Sequence, residues 1–407
     1  MNCRHCNHKL TYVFADLQTC PPSNAMVKPE QLNHPETYFP LKVFVCEKCW
    51  LVQVDELEKA DAIFNNEYTY FSSFSTSWLQ HAKKYTDYMT ERFGFNSQSL
   101  VVEIASNDGY LLQYFKEKNI PVLGVEPTAN TAKVAIEKGI ENIVDFFGSN
   151  LAENKLKAKA DLVLGNNVLA HVPDINDFVK GVKIALKPNG VNTFEFPHLL
   201  QLVKHNQFDT IYHEHFSYLS LTNLVAIFAT QGLDFFDVEE LPTHGGSLRI
   251  FAKHKEDNSK TIEPSVAAML AKEKAAGIDT LEYYQNFQSK VEKIKYDFIE
   301  FLINQKRAGK KVIGYGAAAK GNTLLNYCGI KGNDLIEYVV DASPYKQQKF
   351  LPGSRIPVLS KEEIEETKPD FIVIFPWNLT EEISQQLHYV KNWDCKFVIA
   401  IPELKIF

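Results

Sequence analysis

From about residue 97 onward, short apolar runs alternate with longer stretches of helical periodicity. The runs are 100–104, 121–126, 143–145 and 160–164. Apolar runs of this length, separated by helices, predict a parallel, doubly wound sheet. A helical stretch over 265–309, interrupted at Gly277, carries a solvated face of charges such as Lys290, Glu292 and Lys295. A second strand–helix series follows, with strands expected at 311–316, 335–341, 370–374 and 396–400. Before the first series, 60–93 reads as a polar-aromatic loop running into a helix.

Composition adds few constraints. At about 100–200 residues per domain, 407 residues make two to four domains. Apolar residues at 45% and charged residues at 23% describe an ordinary globular chain with a sizeable core. Lys+Arg at 43 against Asp+Glu at 50 gives a net charge of −7. With no basic tract, neither nucleic acid nor an anionic membrane is expected as a partner. No apolar run follows Met1–Cys6, and none approaches the ~18 residues that span a bilayer. A cytoplasmic location is the expectation.

Of seven cysteines, four form two matched pairs, Cys3-x2-Cys6 and Cys46-x2-Cys49. Each pair sets two thiolates on one side of a tight turn, and two such turns complete a tetrahedral zinc site. The apolar run 42–45 leads into the second pair as the strand of a zinc hairpin would. Four protein ligands leave no open position, so the expected role of the metal is folding. A redox role lacks the βαβ context it needs. Cys20, Cys328 and Cys395 read as buried small hydrophobes, and His5 and His8 as spare.

The first strand of the main series ends in Glu103-Ile104-Ala105-Ser106-Asn107-Asp108-Gly109. Small residues at this turn let backbone approach a ligand, but Ala105 and Asn107 stand where a dinucleotide fingerprint has glycine. The second strand ends in Glu126, about 20 residues past the loop, where a carboxylate can accept ribose hydroxyls. This combination suits S-adenosylmethionine, which carries no pyrophosphate, better than NAD. Asp145 and Phe146 lie where an adenine would be packed or hydrogen-bonded. Read plainly, the loop could also be an ordinary βα turn with a polar cap.

Asn166-Asn167-Val168-Leu169-Ala170-His171 follows the fourth strand at its carboxyl end, where open α/β sheets bind ligands. Further on, Tyr212-His213-Glu214-His215 clusters groups that are costly to bury without purpose. The spacing does not match a helical metal motif. General-base chemistry is the more natural reading, with a polar surface turn as the plain alternative.

Together these residues resemble the S-adenosylmethionine-dependent nucleotide-sugar C-methyltransferases. The resemblance covers nearly the whole chain. It rests on the cysteine pairs, Tyr68-Thr69-Tyr70-Phe71-Ser72-Ser73, the 103–109 loop, His171, Tyr212–His215 and His244-Gly245-Gly246-Ser247-Leu248-Arg249. Gly314-Tyr315-Gly316-Ala317-Ala318-Ala319-Lys320-Gly321-Asn322, Asp341-Ala342-Ser343-Pro344, Leu351-Pro352-Gly353 and Pro376-Trp377-Asn378 complete it. Singly none of these is specific; in this order they are.

The resemblance implies a zinc-binding domain (1–70), a class I methyltransferase domain (71–240) and a C-terminal Rossmann-like domain (241–407), in a monomer. It implies methylation at C3 of a dTDP-4-keto-deoxyhexose. The ketone acidifies the neighbouring C–H, a base removes the proton, and the carbanion attacks the methyl group. In that scheme His215 is the base and Glu214 orients it or tunes its charge. Tyr212 and His171 hold the sugar and its oxyanion, and Tyr70 or Tyr68 reaches in as a donor. His213 is structural. The cofactor is assigned to Glu103, Ala105, Asn107, Gly109, Glu126, Asp145, Phe146 and Asn167. Gly314, Gly316, Lys320, Asn322 and Arg249 are assigned to the nucleotide sugar, with the diphosphate on the glycine turn and Lys320. Arg249 could equally be a salt-bridged structural residue. Ala105 departs from the glycine usual in wider methyltransferase patterns. The competing classes are an O-methyltransferase, an NAD-dependent sugar oxidoreductase or epimerase, and a non-enzymatic zinc-ribbon interaction protein.

Overall fold

A computed structural model describes every residue except 65–67 and 69, so Thr69 of the tyrosine motif lies outside the described residues. Three sheets organise the chain. In the first, Tyr12–Cys20, Phe39–Val45 and Val52–Val54 form an antiparallel meander, and the short strand Ser217–Tyr218 adds to its edge.

The central sheet has seven strands. Their order is Leu233–Leu241, Ser247–His254, Leu186–Pro197, Ala160–Asn166, Val101–Ile104, Val122–Val125 and Asn142–Ile143. The last five run parallel. Ser247–His254 lies antiparallel between Leu186–Pro197 and Leu233–Leu241. The predicted runs at 100–104, 121–126 and 160–164 are thus strands, trimmed or extended by a residue or two. The order reverses at Val101–Ile104, which opens a crevice at the carboxyl ends of the strands. Ser247–His254 belongs to this sheet although it lies past the boundary read at residue 240. A hairpin partner shares its backbone hydrogen bonds with the preceding strand, and the glycines at 245 and 246 provide its turn.

The third sheet has the order Val358–Leu359, Val339–Val340, Val312–Tyr315, Phe371–Ile374, Lys396–Ile399 and Lys405–Ile406. All its pairings are parallel except the last. The predicted helical stretch is two helices, Pro264–Ala276 and Phe287–Arg307. Gly277 ends the first with φ 90°, a left-handed cap that glycine adopts without strain.

The apolar cores cross the three units. Phe14 of the first sheet stacks on Phe287 at 4.4 Å, and one core runs from that meander through Leu199–Tyr218 into the third sheet. A second core joins Cys3, Cys46, Cys49 and Leu51 to the central sheet. The cysteine-bearing unit is therefore wedged against both α/β units. Among the described residues, no helix is long and apolar enough to cross a membrane.

Candidate active site

The two cysteine turns are built alike. Asn7 and Trp50, each four residues past the first cysteine of its pair, take left-handed φ of 57° and 60°. Their amides donate to the carbonyls of Cys3 and Cys46 at 2.9 and 2.8 Å. All four sulfurs lie within 4.8 Å of one another, with Cys3–Cys49 and Cys6–Cys46 both at 3.5 Å. Four converging soft donors fit a tetrahedral, closed zinc site. Neither His5 nor His8 belongs to the cluster. Cys20, Cys328 and Cys395 are buried elsewhere, and burial pushes each thiol up to about 12.

The switch-point crevice opens into a cavity of about 1030 Å³. One end of it is the turn after Val101–Ile104, to which the sequence assigns the cofactor. Ala105 and Asn107 hold φ of 56° and 49°, a left-handed backbone that costs a non-glycine residue roughly 1–2 kcal/mol. Asn107 locks this turn on three sides. Its amide donates to Glu126 Oε2 at 2.9 Å, its Oδ1 accepts from Ser72 N at 2.9 Å, and its Nδ2 donates to Tyr70 O at 3.1 Å. Asn130 Nδ2 donates to Tyr68 O at 2.8 Å. The tyrosine motif is thereby clipped over the cofactor turn, and Tyr68 and Tyr70 both line the cavity. Ala105, Asn107, Glu126, Phe146 and Asn167 line it as well.

Three residues assigned to the cofactor have other positions. Glu103 is fully buried behind the turn beside Tyr110, and burial raises its carboxyl well above the ordinary range. Gly109 faces Ile140 and Ala135, and an added Cβ would sit 2.5 Å from the Ile140 side chain. Its smallness serves packing. Asp145 is exposed, accepts its own neighbour's amide from Phe146 and does not line the cavity.

The middle of the cavity is lined by His171, Tyr212, Glu214 and His215. The His215 ring is held by Thr210, whose carbonyl lies 2.8 Å from Nδ1. A carbonyl can only accept, so the proton is on Nδ1 and the lone pair on Nε2. Tyr212 donates its hydroxyl to that Nε2 at 2.8 Å. Burial, then the neighbouring His171, pull the His215 ring well below the ordinary histidine value, so it is neutral. The His171 ring lies 4.6 Å away, burial lowers it to about 4, and its Nδ1 has no partner. Glu214 does not orient His215. Both its carboxylate oxygens accept from Asn24 Nδ2, at 2.7 and 2.8 Å, and burial raises it to about 7. Tyr212–His215 is a tight turn closed by His215 N donating to Tyr212 O at 2.9 Å, and from it the Glu214 carboxylate turns to Asn24 rather than to His215. His213 packs away from the cavity, against Pro40 O at 3.2 Å and the Phe39 ring.

The far end belongs to the third sheet. Lys320 lines the cavity from the first turn of the helix Ala319–Tyr327, and Ala318 and Ala319 stand beside it. Lys320 Nζ donates to Asn378 Oδ1 at 2.8 Å and sits 4.4 Å over the Trp377 ring. The other residues assigned to the nucleotide sugar do not line the cavity. A Cβ on Gly314 would meet Phe375 at 2.5 Å, and one on Gly316 would meet Pro376 at 2.7 Å, so both glycines admit the 375–376 turn. Asn322 donates to Ser23 O at 2.6 Å and ties this helix to the cysteine-bearing unit. Arg249 is buried, with Nη2 2.8 Å from Glu195 and Nη1 3.0 Å from Glu239.

Several lining residues escaped the sequence reading: Asn24, Trp78, His81 and Lys346. Lys346 is buried and donates to Ala317 O at 2.8 Å. Trp78 and His81 share a helix face at i, i+3, a spacing that was available in the sequence. Asn24 and Lys346 sit in irregular loops with no periodicity to mark them.

The central topology, with its antiparallel seventh strand inserted beside the fifth, and the ligand crevice at the switch point define a class I S-adenosylmethionine-dependent methyltransferase. Family models match in three consecutive blocks: a zinc-binding domain over 3–64, a methyltransferase domain over 77–238 and a C-methyltransferase C-terminal domain over 242–402. The chain is 37% identical to the C-methyltransferase NovU of Streptomyces niveus, over 99% of this chain and 96% of that one. It belongs to that family of three-part C-methyltransferases, and uses S-adenosylmethionine and a zinc ion. A ubiquinone biosynthesis O-methyltransferase of Bradyrhizobium sp. (strain ORS 278) is 30% identical over only 26% of this chain and 45% of its own. Among solved structures, the PH0226 protein of Pyrococcus horikoshii OT3 aligns with 46% of this chain and 95% of its own, at 16% identity and a TM-score of 0.38.

Proposed function

We propose that the chain methylates a carbon of a keto-deoxy nucleotide sugar, C3 of a dTDP-4-keto-hexose, in branched-chain sugar biosynthesis, as a cytoplasmic monomer. The cavity supports this reading most directly. It runs from the turn after Val101–Ile104, past a Tyr–His pair, to Lys320 and Lys346 of the C-terminal α/β unit. That is room for a donor, a reacting sugar and an anionic tail in line. The domain boundaries of this reading are those given above, with the hairpin strand 247–254 shared with the methyltransferase unit.

S-adenosylmethionine, when bound, supplies an electrophilic methyl group. The protein's part is to make and hold the carbanion. The C3 proton passes to Tyr212 Oη while the Tyr212 proton passes to His215 Nε2, and the C–H electron pair moves into the enolate. Thr210 fixes the tautomer that leaves Nε2 free to accept. His171, whose ring lines the cavity 4.6 Å from that of His215, is assigned the developing oxyanion. Glu214 as carboxylate balances the imidazolium, and Lys320 and Lys346 hold the diphosphate. The enolate carbon then bonds to the methyl carbon as that carbon's bond to the sulfonium sulfur breaks, which re-forms the ketone and leaves S-adenosylhomocysteine.

The test is proton exchange in deuterated water, followed by NMR, with a dTDP-4-keto-deoxyhexose and S-adenosylhomocysteine. Loss of the C3 proton signal is expected, and a new carbon-bound methyl singlet once S-adenosylmethionine replaces the product. Retention of that proton with the methyl group on oxygen overturns the reading.

A further inference from the structure

The cysteine turn Cys3–Cys6 does more than close a metal site. Arg4, between its two ligands, reaches toward both catalytic loops. Its Nη1 donates to Pro173 O at 3.3 Å, two residues past His171. Its guanidinium lies 5.4 Å from the centre of the Phe216 ring, next to His215. Nη2 donates to Val54 O at 2.5 Å. The turn's backbone is docked as well. Asn176, on the helix that follows the His171 loop, donates to Arg4 O at 3.3 Å and His5 O at 2.9 Å, and its Oδ1 lies 2.8 Å from His5 Nδ1. Gln53 completes the link. It is fully buried, donates to Cys3 Sγ at 3.3 Å, accepts from Arg4 N at 2.9 Å, and pairs in register with Ser217.

We infer that the metal-bound Cys3–Cys6 turn is a positioning element of the active site, and that Arg4 and Gln53 set the spacing of the His171 and His215 loops. The inference rests on the reading above for the roles of those histidines. The physical reason is stiffness. A turn pinned by two metal–sulfur bonds cannot drift, and it offers one fixed cation to two loops that share no strand with each other. Arg4 gives Nη1 and Nη2 to backbone carbonyls, Nε to Gln53 Oε1 at 3.4 Å and its face to Phe216, so it specifies loop position without entering the cavity.

The test uses full-length, zinc-loaded Arg4→Ala and Arg4→Lys. Zinc per chain and S-adenosylhomocysteine affinity are expected to match the parent. The histidine-ring 15N spectrum, with the His215 signals assigned from His215→Gln, is expected to lose the His215 pattern of protonated Nδ1 and hydrogen-bonded Nε2 in Arg4→Ala. The kcat should fall about 10- to 100-fold with KM for the sugar nucleotide little changed, and Arg4→Lys should recover part of it. Unchanged ring signals and kcat overturn the inference. So does a joint loss of zinc and cofactor binding in Arg4→Ala and in a second variant, Asn176→Ala, which loosens the docking from the helix side. The ring spectrum needs no substrate, so it decides the point even if the substrate reading fails.

Discussion

Replacing Arg249 by Met separates a structural cation from a substrate-binding one. Its guanidinium has 5% side-chain exposure and pairs with Glu195, whose side chain has 0%. It also lies 4.8 Å over the Tyr85 ring and bonds Glu239. Burial alone would raise the Glu195 carboxyl, but His81, Arg249 and Thr243 outweigh it and leave the group at about 2. Against the ordinary 4.5, that is roughly 2.5 pH units, or about 3 kcal/mol at 1.36 kcal/mol per unit. Removing one partner of a buried pair typically costs about 3–5 kcal/mol. At about 2–4 °C per kcal/mol for a unit of this size, Tm should fall on the order of 10 °C. Because the folded value lies below the unfolded one, this stabilisation is present above about pH 4.5 and lost as pH falls toward 2. The Tm gap between parent and variant, read by differential scanning fluorimetry, should therefore be widest near neutrality and shrink in acid. An unchanged Tm with a raised KM for the nucleotide sugar would refute this reasoning and return Arg249 to the substrate.

Tyr212→Phe removes the hydroxyl that meets His215 Nε2, and kcat should drop about 10²–10³-fold with S-adenosylhomocysteine affinity intact by calorimetry. Glu214, held by Asn24 and raised to about 7, should give the parent a kcat that rises with pH through that value. The inflection should vanish in Glu214→Gln, and an unchanged profile would clear Glu214 of the role. Lys320→Met should raise KM for the nucleotide sugar while leaving cofactor binding untouched. Cys46→Ser should lower zinc below one ion per chain by elemental analysis and destabilise the whole protein, because the cysteine core is continuous with that of the central sheet.

Much of the site was legible because its residues bunch in the sequence. Tyr212 and His215 lie within one turn, and His171, Glu126 and Lys320 each follow a strand whose apolar run announces it. What misled was local direction. Glu214 sits beside His215 in sequence, yet its carboxylate turns to Asn24, some 190 positions earlier. The glycines at 109, 314 and 316 read as ligand-facing, but each makes room for a neighbouring side chain. A glycine looks the same in sequence whether a phosphate or a phenyl ring fills the space it leaves. Asn24 and Lys346 carried no pattern at all, since loops set their side chains by contacts that no periodicity encodes.

The sequence by itself determined the class of the fold and the metal site. Strand–helix alternation and paired cysteines are local signals, written by backbone hydrogen bonding and by ligand spacing. Only the tertiary structure decided that the three units share cores, that Ser247–His254 completes the central sheet, and that the cysteine-bearing unit supplies Asn24 and Arg4 around the His171 and His215 loops. Those are long-range choices. They depend on which apolar faces bury one another and which buried polar groups find partners, and neither can be read from any one stretch of chain.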